Sequence, residues 1–243
     1  MFSFFKKKVL PHDPFPFHEL GKDMHSHLIP GVDDGSPDCS ESRILIDGLM
    51  ELGYTYLITT PHIMQDMYPN DAESLGTGYA QLQASWTGDL PCRFAAEYFL
   101  DDHVMKLLEQ GKPLLTVSGS RILVELSFVS RPMALKEMLF NLQIAGYEPI
   151  LAHPERYTYL HRDPAYYQEI RDAGCTFQCN ILSFSGYYGD TIREAAEFLV
   201  GRNLVDMLGT DLHHQRHLAA LRQLNFTPAL RKLMGKTLLN TEL

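Results

Sequence analysis

From residue 21 to the end of the chain, short apolar or β-branched runs alternate with stretches whose apolar residues recur at helical spacing. The spacing predicts strands near 21–27, 54–60, 93–97, 121–127, 149–152, 175–180 and 204–210. Between them Leu45, Leu49 and Leu52 share a helical period, as do Val104, Leu107 and Leu108, then Leu135, Met138, Leu139 and Leu142, then Ile192, Ala195, Ala196 and Leu199. Gly53, Gly111, Gly146 and Gly201 follow those stretches and Gly174 follows the stretch 163–173, where a left-handed residue ends a helix. A repeated βα unit of this kind limits the chain to an α/β architecture. Seven strands favour a closed or nearly closed parallel barrel, with an open doubly wound sheet as the rival. Residues 63–80 carry Pro69, Asn70, Gly76 and Gly78 and read as a functional loop or a broken helix. No linker, internal repeat or low-complexity tract divides the chain, so residues 1–243 read as one domain with 1–20 as an N-terminal extension.

Composition narrows the function. The 243 residues are 45% hydrophobic and 21% charged, enough apolar material for a sizeable core and too much for an unfolded chain. A net charge of −9 speaks against a general nucleic-acid coat, which needs a basic surface to neutralise phosphates. No run of 18 apolar residues is present, which excludes a helical membrane span. At the N-terminus, apolar Phe2, Phe4 and Phe5 precede Lys6, Lys7 and Lys8, the reverse of a secretory signal. Cys39, Cys92, Cys175 and Cys179 form no C-x-x-C pair. On one strand Cys175 and Cys179 would be about 13 Å apart, beyond disulfide reach. A reducing, cytoplasmic compartment is therefore expected.

Metal-ligating residue types fall at the ends of successive predicted strands. Asp23, His25 and His27 are spaced i, i+2, i+4 and share one strand face. The next loop adds Asp33 and Asp34. Strand two ends in Thr60-Pro61-His62, strand three in Ala96-Glu97-Tyr98, strand four in Val124-Glu125-Leu126, strand five in Ala152-His153-Pro154 and strand seven in Thr210-Asp211-Leu212-His213. Barrel enzymes build their active sites at that end of the strands. A lone His-x-His is commonly a packed or surface pair. A carboxylate such as Glu125 or Glu97 inside an apolar strand, however, costs several kcal/mol unless it is paired or metal-bound. Five histidines and four carboxylates at successive strand ends point to a multinuclear metal site. His12, His18, His103, His161, His214 and His217 read as surface or terminal residues. Gly235-Lys236-Thr237 is not a phosphate-binding P-loop, because position 230, where that motif needs glycine, is Leu230.

The strings D-M-H-S-H-L-I-P-G-V-D-D-G, T-P-H, A-A-E-Y, V-E-L-S-F, A-H-P-E-R-Y and D-L-H, in this order, resemble the polymerase-and-histidinol-phosphatase superfamily over about residues 20 to 240. Within it the chain is most similar to bacterial tyrosine-protein phosphatases of capsular and exopolysaccharide synthesis. The resemblance implies a distorted (β/α)₇ barrel holding three divalent ions, usually manganese, with iron, zinc, cobalt and magnesium as alternatives. It implies that His25, His27, Glu97 and Asp211 bind the first ion, that Glu97 bridges to a second held by Glu125 and His153, and that Asp34, His62 and His213 hold the third. Asp23 and Asp33 would orient ligands, and Arg156 and Arg216 match positions near the phosphate. Four carboxylates against three such ions leave about +2, suited to a phosphate-monoester dianion. Water whose pKa falls towards about 7 on a metal would supply hydroxide for in-line attack.

The H-C-x₅-R loop of thiol phosphatases is absent, since Leu45, Tyr98, Ile181 and Ser185 stand six residues after the four cysteines. The expected function is dephosphorylation of phosphotyrosine on a bacterial kinase that regulates polysaccharide synthesis. A small-molecule phosphatase such as histidinol phosphatase, or a silent metal-stabilised scaffold, are the alternatives, and nucleic acid is not an expected partner. After T-P-H the sequence Ile63-Met64-Gln65-Asp66-Met67-Tyr68 departs from the basic residues of well-known capsular phosphatases. Tyr68, Tyr98, Phe99, Phe128, Tyr157, Tyr187 and Tyr188 are candidates to stack on a phosphotyrosine ring.

Overall fold

The structure is a computed structural model that describes residues 13–243 other than 88 and 90. Its strands are β1 Lys22–Asp23, β2 Tyr56–Thr59, β3 His62–Ile63, β4 Cys92–Phe94, β5 Glu97–Phe99, β6 Arg121–Glu125, β7 Glu148–Ala152, β8 Thr176–Asn180 and β9 Met207–Gly209. They pair in parallel, in the orders β1-β2-β4 and β3-β5-β6-β7-β8-β9. The predicted strand 54–60 holds β2, with β3 following beyond its bound, and the predicted strand 93–97 is split between β4 and the first residue of β5. Pro61, which has no N–H to donate, sits at the first break. The register passes through both breaks unchanged, from Leu57 opposite Cys92 to His62 opposite Glu97.

Only Lys22 and Asp23 of the predicted strand 21–27 belong to a regular ladder. Its continuation still has a partner on each side. Thr60 N–H donates to Ser26 O at 2.7 Å, His27 N–H donates to Leu212 O at 2.9 Å, and Ser26 and Leu212 form a parallel bridge. The segment 24–27 thus lies between the end of β2 and the end of β9.

The helices are α1 Phe17–Leu20, α2 Cys39–Leu52, α3 Ala72–Ser85, α4 Asp102–Glu109, α5 Leu135–Ile144, α6 Thr158–His161, α7 Ala165–Asp172, α8 Asp190–Gly201, α9 Gln215–Arg222 and α10 Pro228–Met234. The Asp38 carboxylate accepts from Ser40 N and Glu41 N to start α2, and Asp71 forms a capping box with Ser74 to start α3. The stretch 63–80 therefore divides into an irregular loop, closed by a Met64–Tyr68 bridge, and most of a helix. Gly201 does not end α8 as expected. It is the helix's last helical residue, and the left-handed residue beyond is Asn203 (φ 60°), a residue type that tolerates that conformation.

Side chains alternate between two apolar layers. Ile122 and Val124 face the helices in the larger core, whereas Leu123 of β6 joins Ile58 of β2, Ile150 and Ala152 of β7, Met207 of β9 and the neighbouring Met24, Ala95 and Val117 in a smaller cluster. Glu125, two residues beyond Leu123, continues on the same face. Residues 1–12 of the expected N-terminal extension, His12 and the basic run included, lie outside the described residues. Residues 13–20 pack on the C-terminal part: Phe15 is buried, its N–H donates to Leu224 O at 3.0 Å, and its ring meets Phe226 edge-on. No helix among the described residues is long and apolar enough to cross a membrane.

Candidate metal centre

The strand ends deliver all nine predicted ligands to one place. Glu97 starts β5, Glu125 ends β6, His153 follows β7 and Asp211 follows β9. His153 and Asp211 have φ of 33° and 51°, left-handed values that cost a non-glycine residue about 1–3 kcal/mol and recur where function fixes a side chain.

Glu97 is the hub. Its Oε2 lies 3.1 Å from His25 Nε2, 3.4 Å from His27 Nε2 and 3.3 Å from His62 Nδ1, and its Oε1 lies 3.2 Å from His153 Nε2. Asp211 Oδ1 is 3.3 Å from His25 Nε2 and 3.5 Å from His27 Nε2. Glu125 Oε1 is 3.5 Å from His153 Nε2. Asp34 Oδ1 stands 3.6 Å from both His62 Nε2 and His213 Nε2. Donor atoms within 4.8 Å of one another form four overlapping groups: His27, Asp34, His62 and His213; His25, His27 and Glu97; His25, His153 and Asp211; and His62, Glu97 and Glu125. His62 and His27 thus reach more than one of the groups that the resemblance kept apart.

The donor chemistry fits divalent cations. His62 Nδ1, Glu97 Oε1 and His153 Nδ1 are buried and make no hydrogen bond. Burial acts to raise the Glu97 carboxyl, yet the adjoining His25 and His62 hold it well below the usual carboxylate range. Burial, with Glu97 and Asp211 alongside, pushes Glu125 well above that range. Crowded carboxylates facing imidazole nitrogens suit first-row transition ions, whose charge would relieve the repulsion. The Asp34 side chain, 53% exposed, marks the open side.

A second set of side chains orients these candidate donors. His27 Nδ1 is 2.7 Å from Asp33 Oδ2, which also accepts from His62 N. His25 Nδ1 is 2.7 Å from Gln178 Oε1, Gln178 Nε2 donates to Asn180 Oδ1, and Asn180 Nδ2 donates to Asp211 Oδ2 at 2.6 Å. In His25 and His27 an Nδ1–H donated to these acceptors leaves the Nε2 lone pair facing the cluster. Asp23 instead accepts from the N–H and hydroxyl of Thr210. Sequence reasoning missed Gln178 and Asn180, although two polar side chains at i and i+2 in the run Thr176-Phe177-Gln178-Cys179-Asn180 were a usable signal. His217 is a correction too. Far from being a plain surface residue, it accepts from His213 N at 3.3 Å, and burial pushes its pKa down to about 3.

Of the two predicted arginines the structure brings in one. Arg156 Nη1 donates to Asp211 Oδ2 at 3.0 Å. Arg216 is exposed on α9 and joins no ion pair among the described residues. Two aromatic candidates are also corrected. The buried Tyr98 and Tyr157 hydroxyls accept from Leu115 N and Leu126 N, holding loops and not lining the cleft. Tyr68 does reach the cleft, stacked on His62 at 5.3 Å. All four cysteines are free, and burial pushes the Cys92 and Cys175 thiols up to about 12.

Comparison with known proteins agrees with this arrangement. The chain is 26% identical over 195 residues to the tyrosine-protein phosphatase YwqE of Bacillus subtilis (strain 168), covering 79% of this chain and 77% of YwqE. It is 27% identical over 201 residues to the tyrosine-protein phosphatase CpsB of Streptococcus pneumoniae, covering 79% and 82%. Its fold matches a crystal structure from work on YwqE and CpsB, described as unique metal-dependent tyrosine phosphatases, with a TM-score of 0.76 at 26% identity over 88% of this chain and 87% of the other. The family model for capsular polysaccharide synthesis, CpsB/CapC, matches residues 22–239, and the chain belongs to that family.

Proposed function

We propose that this protein is a metal-dependent protein-tyrosine phosphatase that dephosphorylates a kinase controlling capsular or exopolysaccharide synthesis. The observation that carries this reading is the convergence of nine imidazole and carboxylate donors on one cluster, buried except on the side of Asp34, with a guanidinium at its edge. In this reading the strands form a distorted seven-stranded barrel, supported by the Ser26–Leu212 bridge between the first and last strand ends. Three ions, manganese foremost, would sit among His25, His27, Glu97 and Asp211, among Glu97, Glu125 and His153, and among Asp34, His62 and His213. Bound there, they would supply an activated water and positive charge for the phosphoryl oxygens.

The chain's own residues do the rest. Asp33 and Gln178 hold His27 and His25 in one tautomer and orientation. Arg156 has one N–H on Asp211, which leaves the others free to grip phosphate oxygens as charge develops in transfer. Tyr68, flat on His62, offers its other face to an aryl ring. Four free thiols support a reducing compartment. For Arg216 no contact supports a role at the phosphate.

The test is a substrate panel on metal-analysed protein. A phosphotyrosine peptide should turn over well above histidinol phosphate, chelation should abolish activity, and Mn²⁺ should restore it better than Mg²⁺ because imidazole favours transition ions. Preference for histidinol phosphate would assign a small-molecule substrate, and no turnover with a full metal complement would leave a scaffold.

A further inference from the structure

Arg156 is gripped by more than its bond to Asp211. Its guanidinium carbon lies 4.9 Å from the centre of the Phe128 ring and 4.8 Å from that of Tyr188. The two rings come from different loops, one following β6 and the other preceding α8. Each is braced in turn: Phe128 stacks on His153 at 5.6 Å and meets Tyr157 at 5.3 Å, and Tyr188 stands edge-on to Tyr187 at 5.0 Å. Beneath, the Glu155 carboxylate accepts from Asn180 N at 2.8 Å and from the Ser183 hydroxyl at 2.7 Å, fixing the backbone that carries Arg156. A single hydrogen bond leaves the plane of a guanidinium free to turn about that bond. Aromatic faces remove this freedom, and a planar fork takes two phosphate oxygens only when its plane is set. The Tyr188 hydroxyl is buried and makes no hydrogen bond, so its ring is the part in use.

We propose that Phe128 and Tyr188 are positioning residues that flank the Arg156 guanidinium and set its plane for phosphoryl transfer, their rings and not the tyrosine hydroxyl being what acts. This rests on the reading of Arg156 as the phosphate-gripping residue. Phe128 is 44% exposed, so its truncation opens little cavity and separates positioning from folding.

The experiment compares F128A, F128Y, Y188L, Y188F, R156A and the double variant F128A/R156A in the metal-loaded enzyme, with an aryl and an alkyl phosphomonoester. F128A and Y188L should lower kcat about ten-fold on both substrates with KM, metal content and thermal midpoint little changed. F128Y and Y188F should rescue, and F128A should cost nothing further in the R156A background. In metal-free protein, phenylglyoxal labelling of Arg156, read by peptide mass spectrometry, should rise in F128A and Y188L but not in Y188F. An F128A defect that persists in the R156A background, or is confined to the aryl substrate, would overturn the proposal by showing that the ring meets substrate. A Y188F defect equal to that of Y188L would overturn it in favour of the hydroxyl. Wild-type kcat in F128A with an impaired R156A would sink the positioning role alone, whereas wild-type turnover by R156A would sink the reading of Arg156 beneath it.

Discussion

Both oxygens of Glu97 face imidazole nitrogens, and among the described residues no other side chain touches His25, His27, His62 and His153 together. Glu97→Gln keeps the shape and removes the anion, so it should cost metal content as well as rate. We expect kcat/KM to fall by about 1,000-fold or more, about 4 kcal/mol, with bound metal reduced by elemental analysis. Full metal content with normal turnover would refute the hub role. Asp33 acts one step out, and Asp33→Asn keeps a hydrogen bond to His27 while removing the charge. Its metal affinity should drop about 10- to 100-fold in a competitive chelator titration, with the fold unchanged. The cysteines predict the opposite. With Cys92 and Cys175 pushed up to about 12, only about one thiol in 10,000 is ionised at pH 8, and the thiolate is the species that reacts. Iodoacetamide on the native enzyme should leave activity intact, and inactivation that tracks modification of one cysteine would contradict a metal mechanism.

Helix α3 places two glycines two residues apart in different surroundings. A Cβ on Gly78 would lie 2.6 Å from Ile29 Cγ2, whereas a Cβ on Gly76 would meet only Phe94 Cζ at 3.9 Å. Gly78 lets the helix lie against the loop that carries Asp33 and Asp34. Gly76 has no such duty and merely weakens the helix. Gly76→Ala should therefore stabilise by about 0.5–1 kcal/mol and Gly78→Ala should destabilise by about 1–3 kcal/mol, opposite shifts in the denaturation midpoint. Equal shifts of the same sign would mean that helix propensity alone governs both sites. Gly78→Ala should also weaken metal retention, because the strain falls on the loop of Asp34.

Across the whole molecule, the candidate donors come from segments between residues 25 and 213, so binding of ions among them would be coupled to keeping the strand ends in place. An ion that binds the folded chain and not the unfolded one raises stability by about 2.7 kcal/mol when present at 100 times its dissociation constant. Thermal scans with and without chelator should differ by several degrees, Mn²⁺ should reverse the loss, and Glu97→Gln should abolish the difference. A midpoint indifferent to chelation would show that the cluster is not part of the folding free energy.

What the sequence by itself determined is local and periodic. The alternation of apolar runs with helical spacing gave the α/β class, because a side chain's direction along a strand or helix depends only on its nearest neighbours in the chain. The nine candidate donors were legible as histidines and carboxylates recurring at or just after successive strand ends, and Glu97 and Glu125 most of all, because a carboxylate in an apolar strand is costly without a partner, a cost visible without knowing the partner. Tertiary structure decided what depends on pairing between distant segments. It resumed the second strand beyond Pro61, split the third around Ala95-Ala96, and set His62 opposite Glu97. It also drew Gln178, Asn180 and His217 into the site, residues whose types are common on ordinary surfaces and whose role comes only from what lies across the cleft. Arg156 follows a candidate donor by three residues on one loop, whereas Arg216 rested on the resemblance alone. The fold added the surroundings, placing Asp211, Phe128 and Tyr188 around Arg156 and leaving Arg216 exposed, because those neighbours come from segments distant in the chain.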